Sequence, residues 1–206
     1  MRRFLVATNN PGKVKEYAGL LGDLPVTLTT PTQEGLSLAV AETGATFAEN
    51  AILKARAYAK ASGLLTLADD SGLEVDALDG APGVRSARYA GQGASDEDRC
   101  RLLLRNLADV PPGKRTARFR CVVAMATPEG EVHTAEGRCE GVIGFESRGR
   151  HGFGYDPVFY LPDRGQTMAE LPPEVKNRIS HRARAIQAAL PTLRRLLAVE
   201  ARGNGG

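Results

Sequence analysis

The feature that most constrains this chain is a stretch of alternation at residues 116–126. Every second side chain from position 117 onward is apolar, namely Ala117, Phe119, Cys121, Val123 and Met125. This period of two predicts a β-strand with one face buried. Pro128-Glu129-Gly130 is typical of a tight turn, and a second strand is predicted at about 131–143. The fold must therefore contain a long antiparallel hairpin.

The part of the chain before this hairpin alternates strands with helices. Strands are predicted at about 3–7, 26–29 and 64–68, and helices at about 12–21, 46–62 and 96–108. Thr46 and Glu49 have the spacing of a capping box at the start of the second helix, and Gly63 marks its end. A last helical stretch follows Ser180, and Pro191 is expected to interrupt it.

These elements together predict an α/β fold with a mixed, strongly twisted sheet, flanking helices, and two lobes around a central substrate cleft. We expect one domain over residues 1–202 and a flexible tail at 203–206. With 206 residues, 42% hydrophobic and 25% charged, the chain is long and apolar enough for a sizeable core. The net charge of +3 suits an anionic small molecule.

Cysteine usage and hydropathy suggest a cytoplasmic protein. Cys100, Cys121 and Cys139 are widely spaced and odd in number, which fits reduced structural thiols better than disulfides or zinc ligands. No apolar run approaches the ~20 residues of a membrane span. The apolar run that follows Arg3 is too short for a signal peptide.

Two adjacent acids, Asp69 and Asp70, follow the apolar run 64–68. Carboxylates at the end of a buried strand are costly unless a cation or hydrogen-bond donors meet them. A hard cation such as Mg²⁺ would let both stay ionised. A simple Asx-turn at Asp69-Asp70-Ser71-Gly72 is the alternative.

Three further segments carry candidate chemistry. The turn Thr8-Asn9-Asn10-Pro11-Gly12-Lys13 joins a strand to a helix and favours phosphate, although a plain solvated turn is the alternative. In residues 151–160 glycines flank Phe153, so that Phe153 or Tyr155 is a candidate to stack on a flat ligand. Residues 176–182 place four basic side chains at a predicted helix start, where an anion would relieve the conflict with the helix dipole. Taken together, these segments are the parts of a site for a nucleoside triphosphate with Mg²⁺.

The same segments resemble the signature blocks of the inosine triphosphate pyrophosphatase family, also called XTP/dITP diphosphatases. The blocks run in order from TNNPGKVKE at residue 8 through ETGATFAENAILKARAYA, ADDSGLEVDALDG, GFGYDPVF and TMAEL to KNRISHRARA. The resemblance implies a homodimeric, Mg²⁺-dependent enzyme of the cytoplasm. Such an enzyme cleaves dITP, ITP and XTP to the monophosphate and pyrophosphate and so removes deaminated purines from the nucleotide pool.

The resemblance also implies roles for individual residues. The 8–13 turn would bind the triphosphate through Thr8, Asn9, Asn10, Pro11, Gly12 and Lys13. Glu42 and Asp70 would hold the metal, Asp70 would accept the proton, and Asp69 is a further possible metal ligand. Substrate contacts would come from Ser71, Phe153, Gly154, Tyr155, Asp156, Lys176, His181 and Arg182. A water that loses its proton to Asp70 would attack the α-phosphorus, while Mg²⁺ and Lys13 stabilise the leaving pyrophosphate.

Two alternatives stay open at this stage. A nucleic-acid-binding module is suggested by the isoelectric point of about 8.9 and the basic segment 176–184. The acids at 42, 69 and 70 would repel a phosphate backbone, which disfavours this alternative. A house-cleaning pyrophosphatase for other modified nucleotides would share the triphosphate machinery and differ only around the base.

Overall fold

The computed structural model describes residues 2–203, and within them seven strands form one mixed sheet. The strands are β1 (Arg2–Val6), β2 (Val26–Thr29), β3 (Thr66–Val75), β4 (Thr116–Ala126), β5 (Val132–Ile143), β6 (Phe159–Leu161) and β7 (Gln166–Thr167). Their order is β2-β1-β3-β4-β5-β6-β7. β1 is parallel to β2 and β3, whereas β6 is antiparallel to β5 and β7. The mixed α/β sheet predicted from the sequence is therefore confirmed.

Five α-helices flank the sheet within the same residues. They are α1 (Pro11–Leu21), α2 (Phe47–Ser62), α3 (Asp96–Asn106), α4 (Pro173–Ile179) and α5 (His181–Gly203). The Thr46 side chain caps α2 by accepting a hydrogen bond from the backbone N–H of Glu49, and Gly63 ends α2 in the left-handed conformation at φ 66°. The predicted bounds of the first three helices agree with these to within two residues.

Two sequence-based predictions about chain breaks are wrong. The third strand does not end at residue 68, because β3 continues through Asp69 and Asp70 to Val75 and leaves no Asx-turn there. Pro191 does not interrupt the last helix, since α5 is helical from His181 to Gly203. The carbonyl that loses its partner to a proline belongs to the residue four positions earlier, here Gln187, whose exposed position lets water take the place of the missing donor.

The chain divides into two compact units. The first unit comprises the residues up to Asp70, Cys121–Gly137 and the residues from Arg182 onward; the second comprises Ser71–Arg120 and Arg138–His181. The predicted tail lies outside the described residues except for Gly203, the last residue of α5.

Each unit has its own apolar core. In the first, β1, β3, β4, α1 and α5 contribute buried side chains that include Phe4, Val6, Tyr17, Leu67, Val123 and Ile186. In the second, the core includes Leu73, Leu103, Ala117, Phe119, Val158 and Met168. The alternating residues of β4 are all buried, as predicted, but the opposite face is buried as well from Val122 onward, with Val122 4% exposed and Ala124 and Ala126 fully buried. No helix among residues 2–203 combines the length and the apolarity needed to cross a bilayer.

Candidate active site

The turn between β1 and α1 lies at a helix start and is fixed by side-chain hydrogen bonds. Asn10 caps α1, its side-chain oxygen accepting a hydrogen bond from the backbone N–H of Lys13 at 3.1 Å. Thr8 Oγ1 accepts from the N–H of Asn10 at 3.2 Å, and Thr32 Oγ1 donates to Asn9 Oδ1 at 2.9 Å. Pro11 occupies the first turn, where its missing N–H costs nothing. The turn is exposed at the positive end of the helix dipole, so an anion can reach it.

Lys13 and Arg182 neutralise Asp69 from two sides. Lys13 Nζ lies 2.9 Å from Asp69 Oδ2, and an Arg182 guanidinium nitrogen lies 3.2 Å from the same oxygen. Arg182 is itself 1% exposed and also forms an ion pair with Glu16. Burial alone would raise the pKa of Asp69, but the charges of Lys13 and Arg182 outweigh it and hold that pKa well below its usual range. Asp69 is therefore a buried carboxylate whose charge is met by protein cations.

Asp70 has a different set of partners. Asn50 Nδ2 donates to Asp70 Oδ2 at 3.0 Å, and Lys54 Nζ lies 3.7 Å from Asp70 Oδ1. Lys54 is much closer to Glu42, with its Nζ 2.6 Å from Glu42 Oε1. Burial raises the pKa of Asp70, and the charge of Glu42 adds to this effect against the opposing influence of Lys54 and Asn50. Asp70 is therefore a stronger base than an ordinary aspartate.

The two clusters differ in charge. Glu42, Asp70 and Lys54 sum to one excess negative charge, because two carboxylates share one ammonium. Burial lowers the pKa of Lys54, but the neighbouring carboxylates, Asp69 first among them, outweigh burial and raise it. Oxygens of Glu42 and Asp70 thus face one cationic centre, which Lys54 fills.

This pair of carboxylates fits a magnesium ion that also binds substrate. Mg²⁺ is usually held by one or two carboxylates together with water and substrate phosphates. Residues 2–203 contain no group of three or more His, Cys, Asp and Glu side chains arranged to hold a metal without such help. Glu42 and Asp70 are the residues of the first unit that would hold the ion. Asp69 is less suited to the task because Lys13 and Arg182 already occupy it.

Two members of this cluster, Asn50 and Lys54, were missed from the sequence. They lie four positions apart on α2, so they share one face of the helix. Asn50 is fully buried, and a buried polar side chain inside a capped amphipathic helix needs a partner. The spacing was visible in the sequence, but the partner, Asp70, became identifiable only when β3 was placed beside the helix.

In the second unit, Asp156 organises the glycine-rich segment. Its Oδ2 accepts a hydrogen bond from the N–H of Phe153 at 2.9 Å and forms a short ion pair with Lys176. Lys176 is 4% exposed, and its Nζ lies 4.9 Å from the centre of the Phe153 ring. Gly152 has φ +76°, and a Cβ there would lie 2.0 Å from Asp156 Oδ2. The closeness of this packing requires glycine at position 152.

The same segment is held from its other side by α3. The N–H of Gly154 donates to Asp96 Oδ2 at 2.7 Å, and Cys100 Sγ donates to the Gly154 carbonyl at 3.4 Å. The side chain of Tyr155 is 4% exposed, and its hydroxyl donates to the Ser86 carbonyl at 2.8 Å. Of the two aromatic candidates, Phe153 is the one whose ring is partly open to a ligand, since Tyr155 belongs to the core.

The remaining predicted residues lie in β3, in α4 and at the start of α5. Ser71 follows Asp70 within β3 and is half-buried. His181 is buried and stacks on Phe119 with ring centres 4.7 Å apart. The predicted conflict between cations and a helix start is wrong for Lys176 and Arg178, because both lie in the last turn of α4, where the dipole favours positive charge.

An α/β sheet with an exposed turn that an anion can reach and a pair of carboxylates that converge on one cationic centre fits the class of enzymes that act on phosphorylated small molecules. The chain belongs to the Ham1 family, whose model matches residues 4–192. The resemblance drawn from the signature blocks is thereby confirmed.

Relatives cover nearly the whole chain. A dITP/XTP pyrophosphatase of Desulforamulus reducens is 54% identical over 194 residues, which are 94% of this chain and 96% of that protein. The dITP/XTP pyrophosphatase of Bacillus subtilis is 47% identical over 91% of this chain and 94% of its own length. A HAM1 protein structure from Coxiella burnetii superposes with a TM-score of 0.85 at 43% identity, covering 95% of this chain and all of that one.

Proposed function

We propose that the protein is a nucleoside-triphosphate pyrophosphatase that hydrolyses dITP, XTP and ITP to the monophosphate and pyrophosphate. The observation that carries the proposal is the convergence of Glu42 and Asp70 on one cationic centre, in the unit that also holds the 8–13 turn. Relatives of about 50% identity named dITP/XTP pyrophosphatase support the purine substrates.

Mg²⁺ is the proposed cofactor, held by Glu42 and Asp70. When bound, it would neutralise charge on the phosphates and favour loss of pyrophosphate. Asp70 is also the proposed acceptor of the proton from the attacking water. The Lys13 ammonium and the positive end of the α1 dipole bind and orient the triphosphate. Since Lys13 also pairs with Asp69, its ammonium is fixed in position before substrate arrives.

We propose that base recognition lies in the second unit and at the start of α5. A 6-keto purine offers an acceptor where adenine offers a donor, and a donor from Lys176, His181 or Arg182 would distinguish them. A site built on such a contact discriminates by roughly 10⁴–10⁵. Guanine shares the 6-keto group but has a 2-amino donor where xanthine has a 2-keto acceptor, so Phe153 to Asp156 would exclude guanine by disfavouring a donor at that position. Ser71, which follows Asp70 in β3, is also proposed to contact substrate.

Assembly and location are also proposals. The family resemblance implies a homodimer, which the mass of the protein in solution would test. A cytoplasmic location is supported by three buried cysteines that form no disulfide within residues 2–203. Nucleic acid is not a proposed partner, because Glu42, Asp69 and Asp70 would repel a phosphate backbone.

The test is a panel of dITP, XTP, ITP, dGTP, dATP and modified pyrimidine triphosphates, assayed with Mg²⁺ for pyrophosphate and orthophosphate. We expect pyrophosphate from the first three and at least a hundredfold lower kcat/KM for dATP. Orthophosphate as the direct product would refute attack at the α-phosphorus. Preference for a modified pyrimidine would instead establish the alternative, a house-cleaning enzyme for other nucleotides.

The proposed role of Lys176 and Arg182 in recognising the purine base is tested by Lys176→Met and Arg182→Lys, with exposed Lys60→Met as the control. The ratio of kcat/KM between dITP and dATP should fall in the first two variants and stay constant in the control. Unchanged ratios in both variants would show that these side chains do not recognise the 6-keto group.

A further inference from the structure

Asn50 links the two carboxylates of the proposed metal site although it is no metal ligand itself. It is fully buried in α2. Its Oδ1 accepts a hydrogen bond from the N–H of Gly44 at 2.8 Å, and its Nδ2 donates to Asp70 Oδ2 at 3.0 Å. Gly44 lies two residues after Glu42, so one side chain contacts both the loop that carries Glu42 and the carboxylate of Asp70.

Chemistry fixes the orientation of this amide. The Gly44 N–H can only donate, and an ionised carboxylate can only accept. The oxygen of Asn50 must therefore face Gly44 and its nitrogen must face Asp70. Reversing the amide would replace both hydrogen bonds with unfavourable contacts.

The bond from Asn50 distinguishes the two oxygens of Asp70. Oδ2 is engaged by the buried amide, whereas Oδ1 is the oxygen that faces Lys54 at 3.7 Å. A carboxylate anchored at one oxygen cannot rotate freely about its terminal bond. Oδ1 is therefore the Asp70 oxygen directed toward the Lys54 ammonium, which Glu42 also contacts.

The loop side of the link is equally restricted. A Cβ at position 44 would lie 2.8 Å from Asn50 Oδ1 and 2.6 Å from Glu49 Cβ. The neighbouring N–H of Ala45 donates to Glu49 Oε2 at 2.6 Å. The loop is thus tied to the first turn of α2 by two consecutive amides, and glycine at position 44 leaves the space that the contact with Asn50 needs.

We propose that Asn50 is a positioning residue that presets Glu42 and Asp70 Oδ1 for a divalent cation. The inference rests on the proposed function of that site. Side chains that orient metal ligands affect metal affinity or activity by roughly 10–100-fold when they are removed. Asn50 should act in this range without touching metal or substrate.

The first variant is Asn50→Leu, which has a similar size and neither hydrogen bond. Binding is measured by calorimetry with Mg²⁺ in the presence of the uncleavable α,β-methylene analogue of dITP, so that no turnover is needed. We expect the Mg²⁺ Kd to rise about 10–100-fold. The matched control is Asn106→Leu, at an exposed position of α3, which should keep the wild-type Kd.

The second variant, Asn50→Asp, separates the two halves of the link. The introduced carboxylate can still accept from Gly44 but cannot donate to Asp70. We expect kcat to fall about 10–100-fold even at saturating Mg²⁺, with KM for dITP within about threefold of wild type. Wild-type kcat in this variant would overturn the proposed orientation of Asp70.

A purely structural role gives another result. It would lower the melting temperature of Asn50→Leu while the Mg²⁺ Kd stayed at the wild-type value, and this outcome would overturn the inference. If Asn50→Leu does not fold, Asn50→Ser replaces it in the same titration. Failure of the proposed function is separately visible, because wild-type protein would then release no pyrophosphate from dITP.

Discussion

Asp69 and Asp70 are neighbours in one strand, yet they belong to two regions with opposite electrostatics. In the Asp69 region, Lys13 and Arg182 compensate the carboxylate and hold its pKa low. In the Asp70 region, Glu42 and Asp70 share the single ammonium of Lys54, and the pKa of Asp70 is raised. Successive side chains of a strand point to opposite faces, so β3 can present two identical groups to these different surroundings. The comparison teaches that a compensated charge stabilises the fold, whereas an undercompensated one is available for chemistry.

The largest effect should come from Asp70→Asn, which removes the proposed base and metal ligand. We expect kcat for dITP to fall by about 10⁴-fold, the upper end for loss of a positioned base. The near-ultraviolet circular dichroism spectrum should stay unchanged, since Asn can still accept from Asn50. Wild-type turnover in this variant would show that Asp70 is not the base. The Asp69 and Asp70 regions would then not differ in function.

Asp69→Asn should act mainly on stability. It leaves Lys13 and Arg182 without their buried counter-charge, which costs about 3–5 kcal/mol when one partner of a buried pair is removed. Urea unfolding at pH 7 measures this loss. A variant with wild-type stability would show that Asp69 is not the structural member of the pair.

The stability that Asp69 contributes should depend on pH. Its pKa is lower in the folded than in the unfolded chain, so the contribution is present above the unfolded value near 3.9 and is lost as pH falls below it. The difference in free energy of unfolding between wild type and Asp69→Asn should therefore shrink below about pH 4. A constant difference down to pH 3 would contradict an ionised Asp69 in the folded protein.

Lys54→Met keeps the stem of the side chain and removes the ammonium that faces both Glu42 and Asp70. We expect kcat to fall about 10–100-fold, because the two carboxylates then repel each other and lose their spacing. Exposed Lys60 lies on the same helix, so Lys60→Met is the matched control. Equal kcat values in the two variants would show that the Lys54 ammonium does not hold Glu42 and Asp70 in position.

The smallest effect concerns the stability of Asp70→Asn in the presence of EDTA. Because the pKa of Asp70 is raised in the folded state, its charge is unfavourable at pH 7, and Asn should stabilise the fold by roughly 0.5–2 kcal/mol. The gain should vanish below about pH 4, where wild-type Asp70 is protonated as well. Thermal unfolding across this pH range measures the gain in stability. A loss of stability at pH 7 would show that the charge of Asp70 is compensated in the folded protein.

The sequence by itself determined the first three helices, the central hairpin and the family. Capping residues and period-two alternation located helices α1 to α3 and the β4–β5 hairpin to within about two residues, because these signals act over a few neighbouring positions. The signature blocks determined the Ham1 family and the candidate site residues. Two local signals led to wrong predictions. The adjacent carboxylates were expected to end the third strand, and Pro191 was expected to interrupt the last helix.

Only the tertiary structure decided which charges meet. Lys13 and Asp69 are 56 residues apart, and Arg182 lies 113 residues beyond Asp69, so no local pattern could pair them. The same holds for Asn50 and Asp70, which α2 and β3 bring to 3.0 Å. A carboxylate's pKa depends on the charges and donors within a few ångströms of it, and those neighbours are set by packing. The different roles of two adjacent aspartates are therefore a property of the fold.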